Sequence, residues 1–144
     1  MKRDWNLIRA VLEAAESETL DEFVRKSGAD FDEDDLTQME RDRLIDENAK
    51  KYRHDVLGHL ELCIDAGFLK GIRANYYSDG SLANADVFRD ARLTMQGHDF
   101  LAQLRDRNTW KRIKETAKQT GVQLTVQSIC EIGKYLVGQA LGAV

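Results

Sequence analysis

The chain has 144 residues, 42% of them hydrophobic and 32% charged, with two cysteines, no proline and a formal net charge of −4. That is enough apolar material for one ordinary domain with its own core. It excludes a disulfide scaffold or zinc ribbon, which need more cysteines at closer spacing, and a proline-rich linker or tail. Residues 1–47 carry seven Lys/Arg against fifteen Asp/Glu, and the remainder carries fourteen against ten, a split that suggests two faces or sub-regions with different tasks. The start, MKRDWNLIRAV, is interrupted by charges at once and lacks the apolar core of a signal peptide. No stretch approaches the ~18 uninterrupted apolar residues of a membrane span. A chain in a reducing cytoplasm is expected.

In chain order, DWNLIRAVLEAA at 4–15 opens on a capping Asp4 and repeats Trp5, Leu7, Ile8, Val11, Leu12 and Ala15 at helical spacing. SETLDEFVRKS at 17–27 predicts a short helix capped by Ser17, with Leu20, Phe23 and Val24 inward, Arg25 and Lys26 at its C-terminal end and Gly28 as its stop. An acidic peak, DFDEDD, follows, and Leu36, Met39, Leu44 and Ile45 give a weaker helical pattern. RHDVLGHLELCIDA at 53–66 predicts an internal helix that buries Val56, Leu57, Leu60, Cys63 and Ile64 and ends at Gly67. FLKGIRANYY at 68–77 and VFRDARLT at 87–94 read as two strands joined through an Asp-Gly turn. Thr94 caps a helix with Phe100, Leu101 and Leu104 inward. A basic helix starts at Asn108 or Thr109 and breaks at Gly121, and Thr125 caps an apolar last helix.

A helix running directly into a β-hairpin is the back half of a winged helix-turn-helix. The fold class expected is mainly α with a small β-hairpin: a winged helix-turn-helix-like core over 1–107, with 17–50 as an acidic helical elaboration, and a C-terminal helical extension over 108–144 in the same compact domain.

Four clusters carry candidate chemistry. His59 and Cys63 share a helix face, but zinc needs three or four such ligands, so a packed Cys63 and a locally hydrogen-bonded His59 are expected. His98 and Asp99 are adjacent, point in different directions on a helix and lack a nucleophile motif. They are expected to anchor their helix rather than to catalyse. No catalytic residue, cofactor site or metal site is assigned. Asp30, Asp32, Glu33, Asp34 and Asp35 begin like a calcium loop, but Asp35 stands where glycine is needed and Arg41 where the bidentate Glu is needed. They form a candidate acidic docking patch. RDRNTWKRIKETAK at 105–118 holds six Lys/Arg and two Asp/Glu. It reads as a solvated helix face with Trp110 in the core, and alternatively as a nucleic-acid surface.

The candidate nucleic-acid contacts are Arg73, Arg89, Arg92, Arg107, Lys111, Arg112 and Lys114. The exposed side expected of the 53–66 helix, however, offers Asp55, Glu61 and Asp65 beside Arg53 and His54, and carboxylates repel phosphates. Gly133, Leu136, Val137, Ala140 and Leu141 are the candidate self-association residues, because an uncovered apolar helix is an association site.

MKRDWNLIR, GHLELCIDAGFLKG at 58–71 and RLTMQGHDFLAQLRDRNTWKRIK at 92–114 together resemble the phage- and prophage-associated family called domain of unknown function 2513. The matching positions are Arg3, Asp4, Leu7, Ile8, His59, Leu60, Ala66, Gly67, Leu93, Thr94, Gly97, His98, Asp99, Phe100 and Trp110. Gly58 stands where the family commonly has an aromatic residue. The resemblance implies a winged-helix-like core and no established activity. The expected role is that of a non-enzymatic, phage-type accessory or regulatory protein acting through protein contacts, with a winged-helix DNA-binding regulator as the alternative. A homodimer through the C-terminal helix is expected, and no membrane partner.

Overall fold

The computed structural model describes residues 1–27, 47–72 and 87–142, with backbone only at 47–50. Among these it is mainly helical with a two-stranded antiparallel sheet. It divides into two compact units, Met1–Gly97 and His98–Val144.

The first unit begins with α1 (Trp5–Glu16). Asp4 caps it, its carboxylate accepting from the N–H groups of Asn6 and Leu7 at 2.9 and 3.3 Å. Leu7, Ile8, Val11, Leu12, Ala14 and Ala15 are buried, as the three-and-four spacing requires. α2 (Leu20–Lys26) follows. Its cap is Thr19 and not Ser17, which instead closes α1 by bonding its N–H to Glu13. The reversal arises because the chain needs residues 17–19 to turn, so α2 cannot begin until the turn is complete. α3 (Glu47–Asp65) starts earlier than the apolar pattern suggested and buries Val56, His59, Leu60 and Cys63. Ile64, expected inside, is 40% exposed, because the stripe through 56, 60 and 63 leaves it on the flank.

α1 packs on α2, on α3 and on β2. β1 (Leu69–Lys70) and β2 (Arg92–Leu93) pair antiparallel, Leu69 opposite Leu93 and Lys70 opposite Arg92. Both leucines are buried and both cations exposed, the alternation of a half-buried sheet. The described pairing is shorter than the strands expected over 68–77 and 87–94; residues 87–90 form a turn. The hairpin tip with its Asp-Gly signal, the helical pattern at 36–45 and the Gly28 stop lie outside the described residues.

α4 (Met95–Arg105) contains the boundary between the units and buries Phe100, Leu101 and Leu104. In the second unit, α5 (Arg107–Thr120) packs on α6 (Val126–Gly142). The cap of α5 is Asp106, two or three residues earlier than the start expected at Asn108 or Thr109; its carboxylate accepts from the N–H groups of both. Thr125 caps α6 reciprocally with Ser128, each side-chain oxygen accepting the other's backbone N–H, at 3.0 and 2.8 Å.

Candidate functional site

The N-terminal arm meets α3 at His59. The ring is 1% exposed. Its Nε2 accepts the Asp4 backbone N–H at 2.8 Å, and its Nδ1 lies 2.6 Å from the Asp55 carbonyl. An acceptor at Nε2 and a carbonyl at Nδ1 together fix the tautomer: the proton is on Nδ1, which donates to Asp55. Both nitrogens are thereby engaged by backbone, and neither faces outward as a metal ligand. Cys63, one turn on, is buried, and that burial pushes its thiol up to about 12, away from the thiolate that metal binding and nucleophilic attack require. The local hydrogen bond expected of His59 is present; the second bond, to Asp4, spans the chain and has no signature in either segment alone.

Asp4 thus acts twice, capping α1 with its carboxylate and tethering the arm with its N–H. Arg3 lies over the Trp5 ring, 5.3 Å from its centroid. Met1 covers Gly58, where a Cβ would overlap the methionine sulfur.

A second junction joins the end of α3 to the start of α4. The Thr94 N–H donates to the Phe68 carbonyl at 2.9 Å, and the Thr94 hydroxyl donates to the Gly67 carbonyl while accepting the Gly97 N–H at 3.0 Å. Gly97 is buried, and a side chain there would run into the Phe68 carbonyl. Close passage of a neighbouring segment at Gly97 is what the sequence leads one to expect. His98 and Asp99 are both exposed; at this helix start Thr94 bonds to Gly67 and Phe68, and Gly97 lies against Phe68.

The remaining candidate residues distribute as follows. Arg89 and Arg92 are exposed on the hairpin of the first unit. Arg107, Lys111, Arg112 and Lys114 are exposed on α5 of the second. Trp110 is half-buried rather than in the core, with the Lys114 ammonium 5.7 Å from its ring centroid. It lies on the edge of the buried Ile113–Ala117 row. On α3, His54, Glu61 and Asp65 are exposed, whereas Arg53 and Asp55 are half-buried. Arg73 and the acidic patch Asp30, Asp32, Glu33, Asp34 and Asp35 lie outside the described residues. Among the described residues, no three His, Cys, Asp or Glu side chains gather as a metal-binding group.

The self-association residues split. Gly133 and Leu136 are buried, with the Gln103 side chain lying on Gly133. Val137, Ala140 and Leu141 are exposed. From Val137 to Gly142 every residue of α6 is exposed. Tyr135, which sequence reasoning missed, is 58% exposed, and its hydroxyl accepts from the Gln139 amide at 2.7 Å. It borders an open groove of about 650 Å³ between α5 and α6, lined by Arg112, Glu115, Gln119, Glu131, Tyr135 and Gln139 among others.

The two junctions hold Asp4, His59, Gly67, Thr94 and Gly97 in the places that the family pattern marks, and the family model matches residues 2–123. The chain belongs to the family described as "Hypothetical protein (DUF2513)". Over 143 residues it is 26% identical to an "Uncharacterized protein" of Haemophilus influenzae (strain ATCC 51907 / DSM 11121 / KW20 / Rd), covering 98% of this chain and 99% of that one. No solved structure matches. In this DUF2513 chain the signature residues at the junctions secure backbone to backbone. No helix among the described residues is long and apolar enough to cross a membrane.

Proposed function

We propose that this DUF2513 protein is a non-enzymatic, phage-type accessory or regulatory protein of the cytoplasm that acts through protein contacts, with a winged helix-turn-helix-like core as its scaffold. The observation that carries the reading is the end of α6. Val137 is 58% and Leu141 71% exposed, one turn apart on the same face of α6. Large apolar side chains at the end of one helix cost solubility unless a partner covers them. The titratable groups best placed for chemistry are otherwise engaged: His59 holds backbone on both nitrogens, and the Cys63 thiol stays protonated. Glu61 and Asp65 on the outer side of α3 oppose its use as a groove-reading helix.

The test compares the wild-type chain with a Val137→Asp/Leu141→Asp variant in light scattering and in a pull-down from host lysate. The wild type is expected to self-associate or to retain a stoichiometric partner, and the variant to do neither while keeping its thermal unfolding midpoint. A monomeric wild type that retains nothing, or a variant that associates equally well, refutes the proposal.

A further inference from the structure

The exposed cations of α5 are not scattered. Arg107, Lys111, Lys114 and Lys118 are spaced by four, three and four residues, so they fall in one row along the helix. At a rise of 1.5 Å per residue the row is about 16 Å long. All four are exposed. Among the described residues none of them is ion-paired with a carboxylate. Asp106, just before the row, has its carboxylate committed to the N–H groups of Asn108 and Thr109. Glu115, the one acidic residue of the helix, is at helical spacing from Lys111, Arg112 and Lys118 but is ion-paired with none of them. The Trp110 ring beside the Lys114 ammonium restrains a side chain that would otherwise be free, which lowers the ordering cost of binding. The imbalance extends over the whole unit: residues 98–144 carry seven Lys/Arg against four Asp/Glu, while residues 1–97 carry fourteen against twenty-one.

An uncompensated linear row of cations calls for a linear polyanion. A lipid surface is disfavoured, because a helix lying on a membrane needs its apolar side free, and here Ile113 and Ala117 on that side are buried. An acidic peptide would need four carboxylates at matching intervals, whereas a nucleic-acid strand supplies a phosphate at every step. Three of the four cations are lysines, which act as point charges rather than as the planar forks that read base edges. We infer that the row Arg107, Lys111, Lys114 and Lys118 binds the phosphodiester backbone of nucleic acid without reading its sequence. This surface is distinct from the exposed end of α6 and does not depend on what covers that end.

Fluorescence anisotropy with labelled random-sequence DNA, duplex and single-stranded, tests the inference. The wild type is expected to bind in the micromolar range at about 50 mM salt, with log K falling against log salt at a slope of about −3 to −4 on duplex, as four phosphate contacts require. Lys111→Gln/Lys114→Gln should weaken binding by at least about tenfold and bring the slope to about −2. Lys134→Gln, an exposed lysine on α6, should leave both unchanged. Circular dichroism melting confirms that the variants fold, and Arg107→Gln/Lys118→Gln gives the same readout from the two ends of the row. No binding at low salt overturns the inference. So does an equal loss in Lys134→Gln, which would mean bulk charge alone, or preferential binding to polyglutamate or to anionic phosphatidylserine vesicles.

Discussion

His59 shows what a single buried polar residue contributes. Its ring replaces water for two backbone groups, the Asp4 N–H and the Asp55 carbonyl, and a buried donor left without a partner costs about 1 to 3 kcal/mol. His59→Ala also leaves a cavity, so a loss of about 2 to 3 kcal/mol is expected in urea unfolding; an unchanged midpoint would mean that the arm is not held by this bond. Cys63 makes a different prediction. Its thiol titrates near 12 in the fold against 9.0 outside it, through desolvation. Between those values the native state keeps a proton that the unfolded chain releases, so raising the pH favours unfolding. The contribution of Cys63 is fully present below pH 9.0 and is lost as pH rises toward 12. Cys63→Val should therefore flatten the alkaline fall in the urea midpoint, and equal slopes in both proteins would contradict the burial argument.

Helix ends form the next scale. α1, α3 and α5 close in the same way, with an N–H reaching back five residues: Thr19 to Ala14, Phe68 to Cys63 and Val122 to Ala117, at 2.8, 3.0 and 2.9 Å. The residue before each of those N–H groups is left-handed. At α3 and α5 it is Gly67 and Gly121, at φ 76° and 70°, but at α1 it is Glu18, at φ 59°. A side chain in that region costs about 1 kcal/mol. Glu18→Gly should stabilise the protein by roughly 0.5 kcal/mol once the greater freedom of the unfolded chain is subtracted. A rise in the thermal midpoint checks this, and a fall would reveal a compensating contact of the glutamate. The glycine-ended helices were legible in the sequence because glycine announces the left-handed residue; the end of α1 was not, because Glu18 gives no such signal. The same asymmetry explains the caps. Asp4, Thr94 and Thr125 stand directly before apolar patterns, whereas Ser17 and Asp106 sit in runs of several capping residues, and only the path of the chain selects among them.

At the largest scale, charge is divided unevenly between the two units. The second unit carries a basic row on α5 and an uncovered apolar end on α6, while the acidic excess belongs to the first. The two proposed surfaces can fail independently. Substitutions at Val137 and Leu141 should abolish protein association and leave DNA binding intact, and those in the α5 row should do the reverse. A protein with both surfaces would bring a protein partner to nucleic acid.

The sequence alone determined what local rules govern. Helical periodicity placed α1, α4, α5 and α6 and most of their buried rows, glycines marked two helix ends, and the spacing 107, 111, 114 and 118 is visible in the chain itself. The stretch 92–114 was recognisable as a family marker, and its Thr94 and Gly97 proved structural. Only the tertiary structure could decide which groups meet across the chain. The Asp4–His59 bond joins residues 55 apart, Met1 fills the space over Gly58, and Gly97 admits the Phe68 carbonyl. None of these leaves a periodic trace, since a long-range contact depends on where folding carries each segment. It also decided which apolar residues stay outside: Ile64 and Leu141 satisfy the same hydrophobic patterns as their buried neighbours, and only the packing of adjacent helices distinguishes a covered face from an open one.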